Sequence, residues 1–509
     1  MFSSTAGNNP GQSQQLLLAP GNGFTAGQLT LQTPLPPFVA NPPVFKDPWP
    51  QSDFTFGTTG FSSMKDDLKL PSVQSFNIGI QREISKNTVI EARFLANKGS
   101  NVWHTYNINE VNVIENGFAD EFKRAQQNLA INQAAGVTSF ANRGLPGQVP
   151  LPLFDAMFGA RGSQPALSAA QGYTNGTFIN NLNLGEAGRL AQSLASNVIY
   201  ACRLYGNNFG PCASRGFDAA GTQPINFWYP NPFGTGGSVN LVDDNSFTRY
   251  KALQMQLRRR YAGGITSTVN YTLAKNTADL WADNATQSFN YSTLRDQARN
   301  IGPSPFDVRH VLQAYGTYDL PFGKDRHFAI GNSLLDGIAG GWTVGAVFTA
   351  QSGNPFRLSS GRQTLNQEDA GVVLAPGVTV EQIQKMIHIS PGPGFNRYWI
   401  DPQLIGADGR ANPAFLLPPT TPGEQGDLIY LRTPAIWNID ASLGKTFPIA
   451  PNGGSMTIFL TSRNVLNHPI WGTGLGALTD ASITSTTFGQ TTQPVNGART
   501  IQLRLEVKF

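Results

Sequence analysis

The sequence predicts an all-β fold, a transmembrane antiparallel β-barrel of the outer-membrane type, and three observations carry that reading. The last eleven residues, Arg499 to Phe509, alternate without a break: Ile501, Leu503, Leu505, Val507 and Phe509 fall on one side, and Gln502, Arg504, Glu506 and Lys508 on the other. Such a strand, at ~3.3 Å per residue and tilted by ~45°, rises roughly 25 Å, the height of the apolar band of an outer-membrane barrel. The same alternation recurs in paired runs along the chain. The links joining those runs are short and long in strict turn, as periplasmic turns and extracellular loops are in such barrels.

Residues 1–71 are rich in Pro, Gly, Ser and Thr and lack periodicity, so they are expected to be an extracellular loop remnant. Val73 to Ile84, with Phe76, Ile78 and Ile80 on one face, and Thr88 to Val102, with Ile90, Ala92, Phe94 and Ala96, form a hairpin across Ser85-Lys86-Asn87. Residues 107–246 are dense in Gly, Asn and Pro and read as an elaborated loop. One helical patch, Ala119 to Ala135, places Phe122, Ala125 and Leu129 on a common face.

Phe247 to Arg259 carries Leu253, Met255 and Leu257, turns at Arg260 to Gly264, and returns through Ile265, Val269, Tyr271 and Leu273. Asp307 to Leu320 leads through a turn-rich link, residues 321–341, to Trp342–Ala350. Ile436 to Thr446 turns at Pro448 to Gly454 into Ser455 to Asn464, and the C-terminal strand closes the series. This gives about nine strands and four long loops, 107–246, 276–306, 352–435 and 465–498. With Phe509 at the periplasmic end, the long loops fall outside the cell.

Single-chain bacterial barrels normally have an even strand count. The N-terminus holds only a four-residue apolar run, Leu16 to Ala19, which is no secretory signal. Both point to residues 72–509 as the C-terminal part of a larger barrel.

Composition agrees with a membrane crossed by strands. Of 509 residues 40% are hydrophobic and 13% charged, 54 are Gly and 35 Pro, and no apolar run approaches the ~18 residues of a membrane helix. The net charge of +4 is spread out except at Arg258-Arg259-Arg260, which ends a strand in a solvated turn; no nucleic acid partner is expected. Cys202 and Cys212 fit either a local disulfide of an oxidising compartment or two free thiols, and supply too few ligands for a metal.

No catalytic motif survives inspection. Gly444-Lys445-Thr446 lacks the first glycine of a phosphate-binding loop, where Ile439 stands, and lies on a strand. Gly472, Gly474 and Gly476 lie in a loop. No two of His104, His310, His327, His388 and His468 have metal-ligand spacing. No enzyme, cofactor or metal is therefore expected. Arg309, where Asp307-Val308-Arg309-His310 brings a long loop into a strand, is read first as part of a rim salt-bridge and hydrogen-bond network and, as its functional alternative, as a lumen-facing residue beside plug or substrate. Gln502, Arg504, Glu506 and Lys508 are assigned to the lumen, because an Arg or Lys facing lipid costs ~2–4 kcal/mol at the midplane. Trp103, Trp342, Trp437, Trp471 and Tyr261, near strand ends, are assigned to the interfacial aromatic girdles.

The runs Ser75 to Trp103, Asn107 to Ala130, Phe306 to Lys324 and Arg463 to Trp471 resemble the barrel domain of Oar-like TonB-dependent transporters, over nearly everything from residue 72 onward. The resemblance implies a barrel of about 22 strands around a plug, preceded by a carboxypeptidase-regulatory-like sandwich and a TonB-contacting segment, none of which this chain contains. It implies an unknown bulky ligand crossing the cell outer membrane. Its partners would be outer-membrane lipid, the barrel-assembly machinery and, through the missing N-terminal parts only, the TonB complex. The terminal pattern Ile501, Leu503, Leu505, Val507 and Phe509 is then the membrane-insertion signal. A passive porin-like or autonomous surface barrel, and a secreted all-β adhesin or carbohydrate-binding protein, are the alternative expectations.

Overall fold

A computed structural model describes residues 61–232, 238–279, 289–323, 326–392, 394, 396–449, 454–471, 481–491, 494 and 496–508. Nine long strands form one antiparallel meander: β1 (Ser72–Ser85), β2 (Thr88–Asn107), β3 (Val239–Ala262), β4 (Ile265–Ala278), β5 (His310–Asp319), β6 (Trp342–Gln351), β7 (Ile436–Pro448), β8 (Ser455–Arg463) and β9 (Thr500–Lys508). Each pairs with its sequence neighbours, so the order across the sheet is the order along the chain. Nine strands were expected, with these pairings. Among the described residues β1 and β9 do not pair with each other.

Register sorts the side chains. One row runs Leu503, Leu460, Leu443, Val344, Tyr318 and Ile265 across six strands. On the same face Leu253, Phe94 and Ile78 continue across β3, β2 and β1. These residues stay open to the surroundings: Ile78 is 62% and Leu503 71% exposed. The other face carries Gln254, Gln256, Asn270, Thr272, Thr317, Thr461 and Arg504. A period of two makes this separation automatic once register is set.

Three differences from the sequence reading stand out. β2 and β3 reach beyond the expected Val102 and Phe247, because the register slips between Gly99 and His104 and interrupts the alternation. Asn101 takes a left-handed conformation, φ 56°, within that stretch. Residues Phe61–Met64, expected as loop, form a short strand parallel to the start of β3. The link between β5 and β6 is no tight turn, since it holds helix α7 (Ser333–Ala339). In contrast, Ala262 and Ile265 pair across Gly263-Gly264, whose φ values of 61° and 80° suit a two-residue hairpin.

The loop between β2 and β3 holds six helices rather than one: α1 (Phe118–Ala134), α2 (Pro152–Phe158), α3 (Gly176–Leu184), α4 (Ala187–Ser196), α5 (Val198–Tyr205) and α6 (Gly210–Ala213). The expected helical face, Phe122, Ala125 and Leu129, is buried in a core shared by all six. Aromatic rings interlock there, with Phe118 and Trp228 centroids 4.9 Å apart and Phe140 and Phe154 5.1 Å apart. Glu121, fully buried, accepts from the first-turn N–H groups of Leu153 (2.7 Å) and Phe154 (3.1 Å), so one carboxylate satisfies the start of α2. A second core, around Trp399, Ile400, Leu404 and Phe488, joins the loop after β6, which includes α8 (Val380–Lys385), to the loop after β8.

Candidate functional site: a polar wall beneath a clasped cap

The polar face of the sheet is braced by its own hydrogen bonds. Gln256 Nε2 donates to Asn270 Oδ1 (2.8 Å), Thr266 and Thr317 hydroxyls meet at 2.7 Å, and Arg93 pairs with Glu91 (2.6 Å). On β9, Glu506 pairs with Arg504 (3.1 Å) and Lys508 (3.3 Å), while the Arg504 guanidinium lies 4.7 Å from the ring centre of Phe459. Two concavities open on this face, one lined by Glu91, Arg93, Gln254 and Thr272, the other by Arg258, Thr266, Thr268 and Tyr315. Exposed amides, hydroxyls and charges in such rows can hydrogen-bond a polar solute without committing to one chemistry.

A membrane-crossing strand needs only ~9–11 residues. β2 and β3 run well past that length, continuing beyond residues 100 and 247, where their pairing with β1 and β4 stops. In their extensions Lys65 pairs with Asp244 (2.8 Å) and Asp243 (3.5 Å), and Lys69 N–H donates to Asp244 Oδ2 (2.7 Å). The hydrogen bond from Lys65, reinforced by the Lys69 N–H, holds the Asp244 carboxyl down to about 2. Nearby His104 stacks on Tyr106 with ring centres 4.8 Å apart, its Nδ1 2.7 Å from Ser246 Oγ. Burial pushes its imidazole down to about 4, so it is neutral at physiological pH.

Above the sheet, three loops meet on Glu110. Its buried carboxylate accepts from Thr293 Oγ1 (2.9 Å), from Leu294 N–H and from Asn366 Nδ2 (2.9 Å), and pairs with Arg295. Arg295 also reaches Glu115 at 2.7 Å, which draws the Glu115 carboxyl below its usual range. The same three loops touch again where Gln367 accepts from Val111 N–H (2.9 Å) and where Asn290 donates to Glu368 (2.9 Å). The fourth loop joins through backbone bonds between Ser359 and Ile483 (2.8 Å) and through the second core. Sequence reasoning missed Glu110, since no spacing rule connects it to partners 183 and 256 residues away.

The residues singled out from sequence fall as follows. Ile501, Leu503, Leu505 and Val507 share the apolar face, and Gln502, Arg504, Glu506 and Lys508 the polar one. Phe509 lies outside the described residues. Arg309 sits just before β5, where its Nη1 donates to Ala274 O (3.1 Å) and its N–H to Ser352 Oγ (3.0 Å). Neighbouring Asp307 is buried and pairs with Arg432. Cys202 and Cys212 are joined in a disulfide within the helical cap.

Trp342 and Tyr261 lie at the end of the sheet that carries the short turns, Tyr261 OH donating to Asp319 (2.7 Å). Trp103, Trp437 and Trp471 lie at the opposite end. There Trp103 Nε1 donates to Lys69 O (2.6 Å), Trp437 stacks on His468 with centres 4.0 Å apart, and Trp471 bridges to Pro494.

Residues 1–502 match the outer membrane beta barrel domain family. The chain belongs to that family. It is therefore a protein of the cell outer membrane, and the expectation of a secreted adhesin falls away. None of the curated proteins matches it. Among solved structures it is similar to the outer membrane transporter YddB from Escherichia coli, at 8% identity and a TM-score of 0.34, over 88% of this chain and 34% of that one. It is also similar to the pyoverdine outer membrane receptor FpvA from Pseudomonas aeruginosa PAO1, solved bound to pyoverdine, at 9% identity and a TM-score of 0.28, over 87% of this chain and 30% of that one. The chain thus spans about a third of the length of these structures.

Proposed function

We propose that this outer-membrane barrel domain forms the C-terminal wall of a TonB-dependent transporter that moves a bulky ligand across the outer membrane, with no catalytic step of its own. The observation that carries the proposal is the nine-stranded meander itself, apolar on one face and polar on the other, with no pairing between β1 and β9 among the described residues. In lipid every strand edge must be paired, and we read this wall as an arc of a closed barrel wider than nine strands. A barrel wider than about 16 strands encloses a lumen broad enough for a large solute. The apolar face then meets lipid, Gln502, Arg504, Glu506 and Lys508 line the lumen, and the tryptophans at the two strand ends form the girdles. The resemblance to Oar-like transporters supplies the energy source, and Ile501 to Phe509 the signal read by the barrel-assembly machinery.

The test is immunodetection of the native polypeptide in outer membranes with an antibody against the helical cap, followed by site-specific cross-linking to TonB. The proposal expects a species larger than 54.8 kDa that cross-links to TonB. A 54.8 kDa species that conducts ions in planar bilayers and leaves TonB uncrosslinked makes it a passive porin instead.

A further inference from the structure

The link between β5 and β6 is built differently from the other turns at its end of the sheet. Asn332 caps α7 by accepting from Leu334 N–H (2.9 Å) and Leu335 N–H (3.2 Å). At the other end of the helix, Trp342 Nε1 donates to Ile338 O (2.9 Å), and Lys445 Nζ donates to Ile338 O (3.2 Å) and to Gly340 O. A cation on the last carbonyls suits both the orphaned acceptors and the helix dipole. Trp342 and Lys445 pair across β6 and β7 on the apolar face, in line with Ile458 and Leu505. The helix is therefore docked at the rim of the apolar face and not over the polar one.

Once docked, α7 leaves its large aliphatic residues uncovered: Leu334 is 76%, Leu335 57% and Ile338 66% exposed. Positions three and four apart share a helix face, so these three form one patch. Phe322 and Phe328, also exposed, stack 5.5 Å apart beside the helix, and Gly323 lies so close to Gly340 that a Cβ there would approach its Cα to 2.9 Å.

We propose that α7, with Phe322 and Phe328 beside it, is a membrane-interface anchor, with the Leu334, Leu335 and Ile338 face of the helix seated in the headgroup and acyl boundary of the inner leaflet. Continuity with the apolar face of β6 and β7 selects lipid as the occupant. Further barrel strands attach at β1 and β9, far from the central β5 and β6. A plug would sit on the polar face, which α7 does not touch. An amphipathic helix with aliphatic residues on one side and a cation-held terminus is the form that lies in a membrane interface. The inference rests on the lipid-facing assignment of the apolar face.

The experiment is site-directed spin labelling of the full chain in phospholipid vesicles, with single cysteines replacing Leu335, Ile338, Asp336 and Leu460 in turn and the native disulfide left intact. Power saturation compares collisions with oxygen, which concentrates in lipid, and with a water-soluble nickel chelate. Labels at 335 and 338 are expected to favour oxygen at least threefold more than the label at 336, with 460 as the lipid reference. If 460 reports lipid while 335 and 338 match 336, the anchor is refuted and the lipid face stands. If 460 also reports water, the assignment of the face fails first. Labels at 335 and 338 shielded from both reagents mean a protein partner covers the helix, which also overturns the proposal.

Discussion

Replacing Glu110 by Gln should loosen three long loops at once. The carboxylate serves four donors from two neighbouring loops, and it is 8% exposed, so an amide that offers one acceptor and two donors leaves several of them facing N–H. Breaking a buried ion pair on one side costs ~3–5 kcal/mol. Arg295 keeps Glu115 and its side chain is 35% exposed, so solvent returns part of that, leaving about 2–3 kcal/mol. At 1.4 kcal/mol per factor of ten, the opening equilibrium shifts by about 30- to 140-fold.

Hydrogen exchange followed by mass spectrometry on vesicle-reconstituted protein reads this directly, in segments 289–300 and 362–369. Glu115→Gln is the control: its carboxylate is 61% exposed, and such pairs are worth under ~1 kcal/mol, less than about fivefold. Exchange in both segments within twofold of the native protein, or an equal effect from Glu115→Gln, would refute the reasoning.

Leu460→Arg, on the lipid face, should cost ~2–4 kcal/mol of folding stability in vesicles, whereas Thr461→Arg on the opposite face should stay within ~0.5 kcal/mol; urea titrations that show equal losses would contradict the face assignment. Removing the cap disulfide with Cys202→Ser and Cys212→Ser, separated by 10 residues, should destabilise the helical cap by about 2–3 kcal/mol without touching the sheet, checked by protease nicking of the cap. Acid should detach the β2 and β3 extensions in two steps. The depressed His104 pKa withdraws stability as pH falls from 6.5 towards about 4, because only the unfolded imidazole takes up a proton there. Asp244 acts in the same direction from 3.8 towards about 2, as its pairing with Lys65 is lost. Protection factors at residues 61–64 and 239–246, taken relative to the intrinsic exchange rate at each pH, that stay flat from pH 7 to 3 would contradict this.

The wall was legible because lipid imposes a simple rule. Any strand with one face in hydrocarbon must alternate, and the nine runs found by alternation are the nine long strands of the sheet. Legibility ended where water resumed. Beyond Gly99 the bulges remove the period, so the reach of β2 to Asn107 was invisible. Of the six helices in the first long loop, only the 17-residue α1 is long enough to show a helical period; the others have 4 to 10 residues. Local signals for some of them were present: Pro152 at the first helical position, Asn175 and Asn197 as N-caps, and Gly185 at the end of α3 with φ 73°. Glu110 gave no such signal, because a carboxylate in a loop is ordinary until the fold brings its partners to it.

The two ends of this wall solve opposite problems. At one end, four long loops that start from different strand pairs are tied into one body. Glu110 joins the first three, and the core around Trp399 and Phe488 joins the third to the fourth. Loops tied in this way cannot open singly, because moving the segment at 289–300 breaks bonds to both neighbours. At the opposite end the link between β5 and β6 carries α7, which leaves Leu334, Leu335 and Ile338 uncovered at the rim of the apolar face. Coupled loops above and a lipid-held turn below place any mobile step in the cap and keep the wall still.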